Sequence, residues 1–115
     1  LEPAIVLFCL KTASETNAVF QASKTFAVNI LSEKQEAVSN AFASSKNSQE
    51  KRFEQVELLS SSAPVIKGGL GYLMGDIINY KVVGDHIVYF GKVMDGKRFE
   101  GNPLLYAKGG YQRLG

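Results

Sequence analysis

The longest apolar pattern in the chain predicts a β-hairpin. Two runs rich in Ile, Val, Tyr and Phe, both within Tyr72–Val93, meet at Gly84-Asp85. Lys81 stands between apolar neighbours, as in a strand with one solvent-facing side, whereas Ile87–Phe90 is apolar throughout, as in a strand covered on both faces. Glycine followed by aspartate suits a two-residue turn of type II′, because glycine adopts a positive φ without steric cost. We therefore predict a long antiparallel hairpin with His86, the only histidine, at its bend.

The N-terminal segment predicts a buried strand followed by a short helix. Ala4–Leu10 is a continuous apolar run, which is typical of a buried strand. Thr12–Glu15 fits a capping box, although Ser14 or Thr16 could cap the helix instead. This helix is expected to end near Ser23-Lys24. The apolar residues on one of its sides are Ala18, Val19 and Ala22.

A second strand and a second helix follow in the same order. Thr25–Leu31 has the apolar content of a strand, and Ser32–Gln35 is another capping box. The residues after it are spaced as one apolar stripe of a short amphipathic helix. These residues are Ala37, Val38, Ala41 and Phe42.

The rest of the chain is predicted as loops and short terminal elements. Three loops are expected, at Ser44–Lys51, Ser60–Ser62 and Met94–Asn102. Phe53 and Val56 are expected to pack back onto the core, Pro103–Ala107 to form a closing strand, and Gly109–Tyr111 to be a flexible end. About six strands and two helices with short loops predict a single α+β domain over residues 1–115, built on an antiparallel barrel.

Composition narrows the class of function. The 13 Lys and Arg residues and 11 Asp and Glu residues are mixed along the chain with no basic tract, which argues against a nucleic-acid partner. Cys9 is the only cysteine and cannot form an internal disulfide, so we predict a reducing, cytoplasmic location. Ala4–Leu10 is far shorter than the about 20 residues that cross a bilayer, so no membrane anchor is expected. Because a strand begins almost directly after Leu1, we expect an N-terminal part of the protein to be missing here.

Several kinds of catalytic chemistry have little support in the sequence. One histidine, one cysteine and scattered carboxylates offer no spaced set of metal ligands, so no metal site is expected. Cys9 is predicted to be buried, which makes it a poor nucleophile. Gly68-Gly69 and Gly109-Gly110 do not stand in the setting of a phosphate loop.

One anion site remains, at the junction between the first strand and the first helix. Its candidate residues are Lys11, Thr12, Ser14 and Thr16. Backbone N–H groups and the helix dipole at such a junction favour a phosphate. The alternative is that the hydroxyl groups only cap the helix, and His86 could likewise be a turn residue that faces water.

A series of short motifs gives the chain a family resemblance. The motifs are Leu1-Glu2-Pro3, Cys9-Leu10, Ser14 with Thr16, Phe26–Ser32, Gln35, Phe42-Ala43, Arg52-Phe53, Ala63–Gly68, Gly84-Asp85-His86, Pro103–Tyr106 and Tyr111. In their order and spacing they resemble the flavin reductase-like family, which comprises small NAD(P)H:flavin oxidoreductases with an FMN-binding split-barrel fold. The resemblance spans nearly the whole chain.

The resemblance implies a fold, a reaction and partners. The expected fold is a mainly-β split barrel with short flanking helices. The expected protein is a homodimer that binds FMN or FAD, uses NADH or NADPH as co-substrate, and passes reduced flavin to a partner such as a monooxygenase. Two alternatives stay open. One is a flavin-binding electron-carrier module or domain without its own NAD(P)H oxidation, and the other is a non-catalytic scaffold that kept the barrel.

The resemblance also implies roles for single residues. Ser14 and Thr16 match positions that hold the flavin phosphate. The match strengthens the hypothesis of an anion site, to which the neighbouring Lys11 also belongs. His86 matches the histidine placed near the nicotinamide and the flavin ring, and it is the predicted catalytic residue. Asn29 matches a position at the end of the second strand. There it would be a ligand-side group or, in the interpretation that we favour, a structural one.

Two tyrosines match the family pattern, and the chain differs from that pattern at two places. Tyr106 and Tyr111 match aromatic residues that are expected to pack in the core or in a dimer interface. Gly75 stands where relatives often carry cysteine, which is expected to affect packing rather than chemistry. The family's first strands, with the segment that lies along the isoalloxazine ring, correspond to sequence ahead of Leu1. Part of the flavin site is therefore expected outside this chain.

Overall fold

A computed structural model describes residues 2–44, 46–54, 56–60 and 64–114 of the chain. Within these residues the chain forms eight strands and three helices. The strands are β1 Ile5–Lys11, β2 Thr25–Ile30, β3 Leu58–Ser60, β4 Val65–Ile66, β5 Gly71–Val83, β6 His86–Arg98, β7 Leu105–Ala107 and β8 Gly110–Gln112. The helices are α1 Thr16–Ser23, α2 Glu36–Ala43 and α3 Gln49–Phe53.

The strands form one larger sheet and two small ones. The larger sheet has the order β1-β6-β5-β2, and the small sheets pair β3 with β4 and β7 with β8. Strand β1 pairs antiparallel with β6, with Ile5 opposite Lys92 at one end and Lys11 opposite His86 at the other. This arrangement confirms the predicted mainly-β class with short helices.

The chain divides into two compact units, each assembled from two stretches of sequence. The first unit is Leu1–Val28 with Leu73–Gly96, and the second unit is Asn29–Tyr72 with Lys97–Gly115. In the part that the structure describes, the longest helices have eight residues, and none is long and apolar enough to span a membrane.

The predicted hairpin is present and is longer than expected. Strands β5 and β6 have 13 residues each, and only Gly84 and Asp85 lie between them. Gly84 has a φ of 59° while Asp85 keeps a negative φ, which is the type II′ pattern predicted from the sequence. The prediction of a loop over Met94–Asn102 is wrong for Met94–Arg98. This segment continues β6, which pairs with β5 in the sheet.

Aromatic rings form the core of the first unit. Phe8 of β1 stacks on Tyr89 of β6 with ring centroids 5.3 Å apart, and Phe20 of α1 lies 5.2 Å from Phe8. Phe26 of β2 lies 5.8 Å from Phe8 and is 2% exposed, while Tyr89 is fully buried. Gly91 leaves room for this packing, because a Cβ atom there would overlap the Phe26 ring. The ring cluster therefore fixes α1, β1, β2 and β6 together.

Strand β1 is less buried than its apolar sequence predicts. It lies at the edge of its sheet, and its side chains alternate between half-buried and exposed. Phe8 faces the aromatic core, whereas Ile5 and Leu7 are 44% and 63% exposed and Cys9 is also exposed. The prediction that Cys9 is buried is wrong. A strand side chain is covered only if something packs on its own face of the sheet, which an apolar run does not reveal.

The second unit contains elements that the sequence analysis did not predict. Helix α3 begins inside the expected loop Ser44–Lys51, where the Ser48 side chain accepts a hydrogen bond from the backbone N–H of Lys51 at 3.2 Å. As predicted, Phe53 packs inward, edge-on to Phe42 with centroids 5.0 Å apart. Of the expected loop Ser60–Ser62, Ser61 and Ser62 lie outside the described residues.

The C-terminal segment is a hairpin and not a flexible end. Strand β8 pairs with β7, and Tyr111 stands opposite Tyr106. The turn residues Lys108 and Gly109 both have positive φ, of 55° and 77°, which is the backbone pattern of a type I′ turn. A three-residue strand is too short to show alternation, so the sequence pattern could not predict β8. The strand is stabilised by its pairing with β7.

Candidate functional site

The loop between β1 and α1 lies beside the bend of the long hairpin, within the first unit. Lys11, the last residue of β1, is the register partner of His86, the first residue of β6. The backbone N–H of Thr12 donates to the carbonyl oxygen of Asp85 at 2.8 Å. The structure therefore brings four predicted site residues into one region: Lys11, Ser14, Thr16 and His86.

The Ser14 side chain bonds to the backbone at the start of α1, one position ahead of the N-cap residue Glu15. Its Oγ accepts the backbone N–H of Thr16 at 3.3 Å, and its own N–H donates to the carbonyl oxygen of Lys11 at 3.0 Å. The N-cap position is occupied by Glu15 without a side-chain cap hydrogen bond, so the prediction that Thr12, Ser14 or Thr16 is the N-cap is wrong, although Ser14 Oγ still accepts a backbone N–H of the first turn. The hydroxyl groups of Ser14 and Thr16 belong to half-buried residues beside the exposed Lys11. One ammonium, two hydroxyls and a helix start are a donor set that fits a phosphate.

Asn17 is a buried residue of this loop region that the sequence analysis did not single out. It is 6% exposed. Its Nδ2 donates to the carbonyl oxygens of Lys11 at 2.8 Å and Ser14 at 3.0 Å, with Thr12 at 3.5 Å. Its Oδ1 accepts the hydroxyl proton of Tyr89 at 2.7 Å. The inward side of α1 is thus formed by Asn17 and Phe20, while Val19 of the predicted stripe is exposed.

At the hairpin bend, the side chains of Asp85 and His86 are hydrogen-bonded. Asp85 Oδ1 lies 2.8 Å from His86 Nδ1. The hydrogen bond to His86 is the main cause that lowers the pKa of Asp85, and the charge of His86, a backbone N–H and the charge of Lys11 add to it. The pair is open to solvent, with side chains 43% exposed for His86 and 86% for Asp85. Because Nδ1 is engaged, Nε2 is the ring nitrogen left to meet a ligand.

Asn29 belongs to the second unit, where its side chain binds backbone. Its Nδ2 donates to the carbonyl oxygen of Pro64 at 2.8 Å, and its Oδ1 accepts the N–H of Ile66 at 2.8 Å. The amide thereby ties the end of β2 to β4. This contact is consistent with the structural interpretation that we favour, and a ligand role for Asn29 stays a prediction.

Gln35 lies beside a cleft of about 310 Å³ in the second unit, because it bonds Ser32, which lines the cleft. Its Oε1 accepts the backbone N–H of Ser32 at 2.9 Å, and its Nε2 donates to the carbonyl oxygen of Lys67 at 3.1 Å. The predicted capping box Ser32–Gln35 does not start the helix, because α2 begins at Glu36 with Gln35 as its N-cap residue and no side-chain cap hydrogen bond. The cleft is lined by Ser32, Glu33, Lys34, Gly68, Glu100, Gly101 and Asn102. With carboxylates of both Glu33 and Glu100 on its wall, it suits a phosphate less well than the β1–α1 loop.

The two C-terminal tyrosines differ in their surroundings. Their rings meet edge-on with centroids 5.1 Å apart. The Tyr111 hydroxyl lies 2.8 Å from Ser39 Oγ, which joins β8 to α2 within the second unit, whereas Tyr106 is 66% exposed. Among the described residues no three His, Cys, Asp or Glu side chains cluster closely enough to hold a metal ion.

Comparison with known proteins shows the family of the chain. The family model described as "Flavin reductase like domain" matches residues 1–115. The chain belongs to the flavin reductase-like family. The resemblance inferred from the motifs is thereby confirmed.

Three relatives place the chain within the flavin reductase-like family. The reductase subunit HsaB of a flavin-dependent monooxygenase from Mycobacterium tuberculosis is 34% identical over 116 residues, which cover 96% of this chain and 60% of that protein. The solved structure of the flavin reductase PheA2 is 32% identical, with a TM-score of 0.86, and covers 99% of this chain and 72% of that one. The chain thus spans about 60% of the length of this curated relative.

A third relative was solved with ligands. The NADH:FAD oxidoreductase SgcE6 of Streptomyces globisporus, in complex with NAD and FAD fragments, is 29% identical with a TM-score of 0.88. The match covers 99% of this chain and 70% of that one. The expected split-barrel fold of the flavin reductase-like family is confirmed by these neighbours.

Proposed function

We propose that the protein is an NAD(P)H-dependent flavin reductase that transfers a hydride from a nicotinamide to FMN or FAD. The observation that carries the proposal is the meeting of the β1–α1 loop with the Asp85-His86 bend. This contact brings the hydrogen-bond donors proposed to bind the phosphate next to a histidine, on one side of the first unit. When bound, the flavin supplies the redox chemistry, and the protein supplies binding, orientation and electrostatics.

In this proposal the β1–α1 loop holds the flavin phosphate. Lys11 contributes a positive charge, Ser14 and Thr16 contribute hydroxyl protons, and the start of α1 contributes its dipole. Asp85 holds the His86 ring through Nδ1. His86 Nε2 is then available to hydrogen-bond the nicotinamide carboxamide, and a protonated ring places positive charge near a reduced, anionic flavin.

Ligand preference, partners and location are further parts of the proposal. The names of HsaB and SgcE6 support NADH, FAD and a monooxygenase that takes up the reduced flavin. We also propose a homodimer, which the exposed apolar residues Leu7 and Tyr106 support, and a cytoplasmic location. The family match over residues 1–115 supports one flavin reductase-like domain.

The test is NADH- or NADPH-dependent reduction of FMN and FAD by the purified protein, followed by stopped flow. His86→Ala is expected to slow flavin reduction by about tenfold or more while it changes flavin affinity by less than about twofold, because one lost hydrogen bond in the transition state costs about this much. His86→Gln is the matched control, since its amide retains a donor and should restore part of the rate.

Other outcomes would point elsewhere. If His86→Ala keeps the rate at saturating NADH and the nicotinamide affinity, His86 is only a turn residue. Flavin binding without oxidation of either nicotinamide would favour the electron-carrier module. Failure to bind flavin at all would favour the non-catalytic scaffold.

A further inference from the structure

We propose that Asn17 is a positioning residue that shapes the β1–α1 loop for phosphate binding. The inference rests on the proposed function, because it assigns Asn17 to the same site. Asn17 is buried and does not itself stand among the predicted ligand groups. Its two amide protons are shared among the carbonyl oxygens of Lys11, Ser14 and Thr12, at 2.8, 3.0 and 3.5 Å. One side chain therefore bonds three backbone carbonyl groups of the segment Lys11–Ser14.

Gathering these carbonyl groups orients the N–H groups of the loop. In a planar trans peptide the C=O and the N–H point in opposite directions. Because the oxygens of Thr12 and Ser14 turn toward Asn17, the N–H groups of Ala13 and Glu15 turn toward the other side of the loop. That side then presents positive ends of peptide dipoles, while the negative ends face the buried amide. An anion is attracted by such a surface.

Tyr89 fixes Asn17 to β6, an inner strand of the sheet. The Tyr89 hydroxyl donates to Asn17 Oδ1 at 2.7 Å and accepts from Gln21 Nε2 at 3.3 Å. The Tyr89 ring is fully buried against Phe8, so the position of its hydroxyl is set by the aromatic core. The shape of the loop is thus dictated by β6, and it does not depend on the loop sequence alone.

The experiment compares the dissociation constants of FMN and riboflavin, which differ by the phosphate. Asn17→Leu has a similar size and no charge, but it cannot bind the loop carbonyls. It is expected to raise the dissociation constant for FMN by about tenfold or more and that for riboflavin by less than about twofold. Tyr89→Phe removes one hydroxyl and is expected to act in the same direction to a smaller extent. Gly91→Ala, which strains the same core without touching the loop, should leave the ratio of the two constants unchanged.

The outcomes separate this inference from the proposed function. A wild-type protein that binds riboflavin as tightly as FMN contradicts the phosphate site and the role of Asn17 together. A wild-type preference for FMN that survives in both Asn17→Leu and Tyr89→Phe overturns the role of Asn17 alone. If Asn17→Leu does not fold, Tyr89→Phe decides, because its ring keeps the core packed.

Discussion

The hydroxyl group of Ser14 can bond to the start of α1 and, as proposed, to a flavin phosphate at the same time. Its oxygen accepts the N–H of Thr16 through a lone pair, and the hydroxyl proton is still available to donate. Helix capping and phosphate binding were alternatives at the level of sequence. The geometry makes them compatible, because they use different parts of the same group.

We predict that Ser14→Ala combined with Thr16→Ala weakens FMN binding and hardly changes riboflavin binding. Each hydrogen bond to a charged phosphate contributes about 1.5–3 kcal/mol, so a loss of about tenfold or more is expected for FMN. Fluorescence quenching measures both affinities. Ser23→Ala, whose Oγ accepts the N–H of Thr25 at the other end of α1, is the matched control. Equal weakening of both flavins would contradict the phosphate assignment.

The Asp85-His86 pair makes one contribution to stability depend on pH. The pKa of Asp85 lies below its usual value of 3.8 in the folded protein. The stabilisation is therefore complete above the pKa of the unfolded chain and is lost as the pH falls through the lowered folded value. Solvent exposure of both side chains keeps the effect small.

We predict that His86→Ala raises the pKa of Asp85 back toward 3.8, because the hydrogen bond to His86 is the main cause of the shift. Carbon NMR of the Asp85 carboxyl group in both proteins measures the change. Denaturant unfolding gives a second check, since the stability difference between wild type and Asp85→Asn should shrink below about pH 4. An Asp85 pKa that is the same with and without His86 would rule out the pairing.

The candidate site was only partly predictable from single residues. Lys11, Ser14 and Thr16 lie within six positions of each other, so a strand-to-helix junction places them together without further information. Asn17 could not be identified in this way. Its defining contact is with Tyr89, which is 72 positions away in the sequence. The sequence could show only a polar residue within the predicted helix. The tertiary structure was needed to show that this residue is buried and bonded to Tyr89.

At the level of secondary-structure elements, β2 packs closely against β6 through Phe26 and Gly91. The Phe26 ring lies over Gly91 so closely that a methyl group there would overlap it. Both residues are buried, and Phe26 also contacts Phe8. The absence of a side chain at residue 91 is therefore part of the core packing.

We predict that Gly91→Ala destabilises the protein by about 1–3 kcal/mol, which is typical of overpacking in a core. Denaturant unfolding measures the loss. Gly110→Ala is the matched control in β8, because the nearest atom to its added Cβ is Gln112 Nε2 at 3.9 Å. That variant should stay within about 0.5 kcal/mol of wild type. A Gly91→Ala protein as stable as wild type would mean that the Phe26 ring moves aside without cost.

Most differences between the expected and the observed fold lie in short or terminal strand segments. Met94–Arg98 and Gly110–Gln112 were not predicted as strands. Met94–Arg98 is exposed throughout, and Gly110–Gln112 has only three residues. Neither segment can show an apolar alternation, so only the pairing partner reveals them. In Ile87–Phe90, whose residues alternate between buried and half-buried, the apolar run predicted the strand correctly.

At the level of the whole chain, each compact unit joins two stretches that are far apart in sequence. The first unit combines Leu1–Val28 with Leu73–Gly96. A continuous apolar run identified β1 as a strand, but it contains no information on which distant strand would pair with it. It also does not show which face of β1 is covered, and Cys9 lies on the face opposite to Phe8, where it is exposed. Long-range pairing of this kind also makes folding slow relative to helical proteins of similar size.

The pairing of β1 with β6 limits which insertions and deletions the protein can tolerate. Phe8 faces Tyr89 in the core and Lys11 faces His86 at the site, so three positions separate core from site on both strands. One residue added to β1 alone between them would turn the following side chains to the opposite face and move Lys11 away from His86. Length changes in evolution should therefore fall outside this interval or occur in both strands together. Either case keeps the spacing between the core and the proposed ligand site constant.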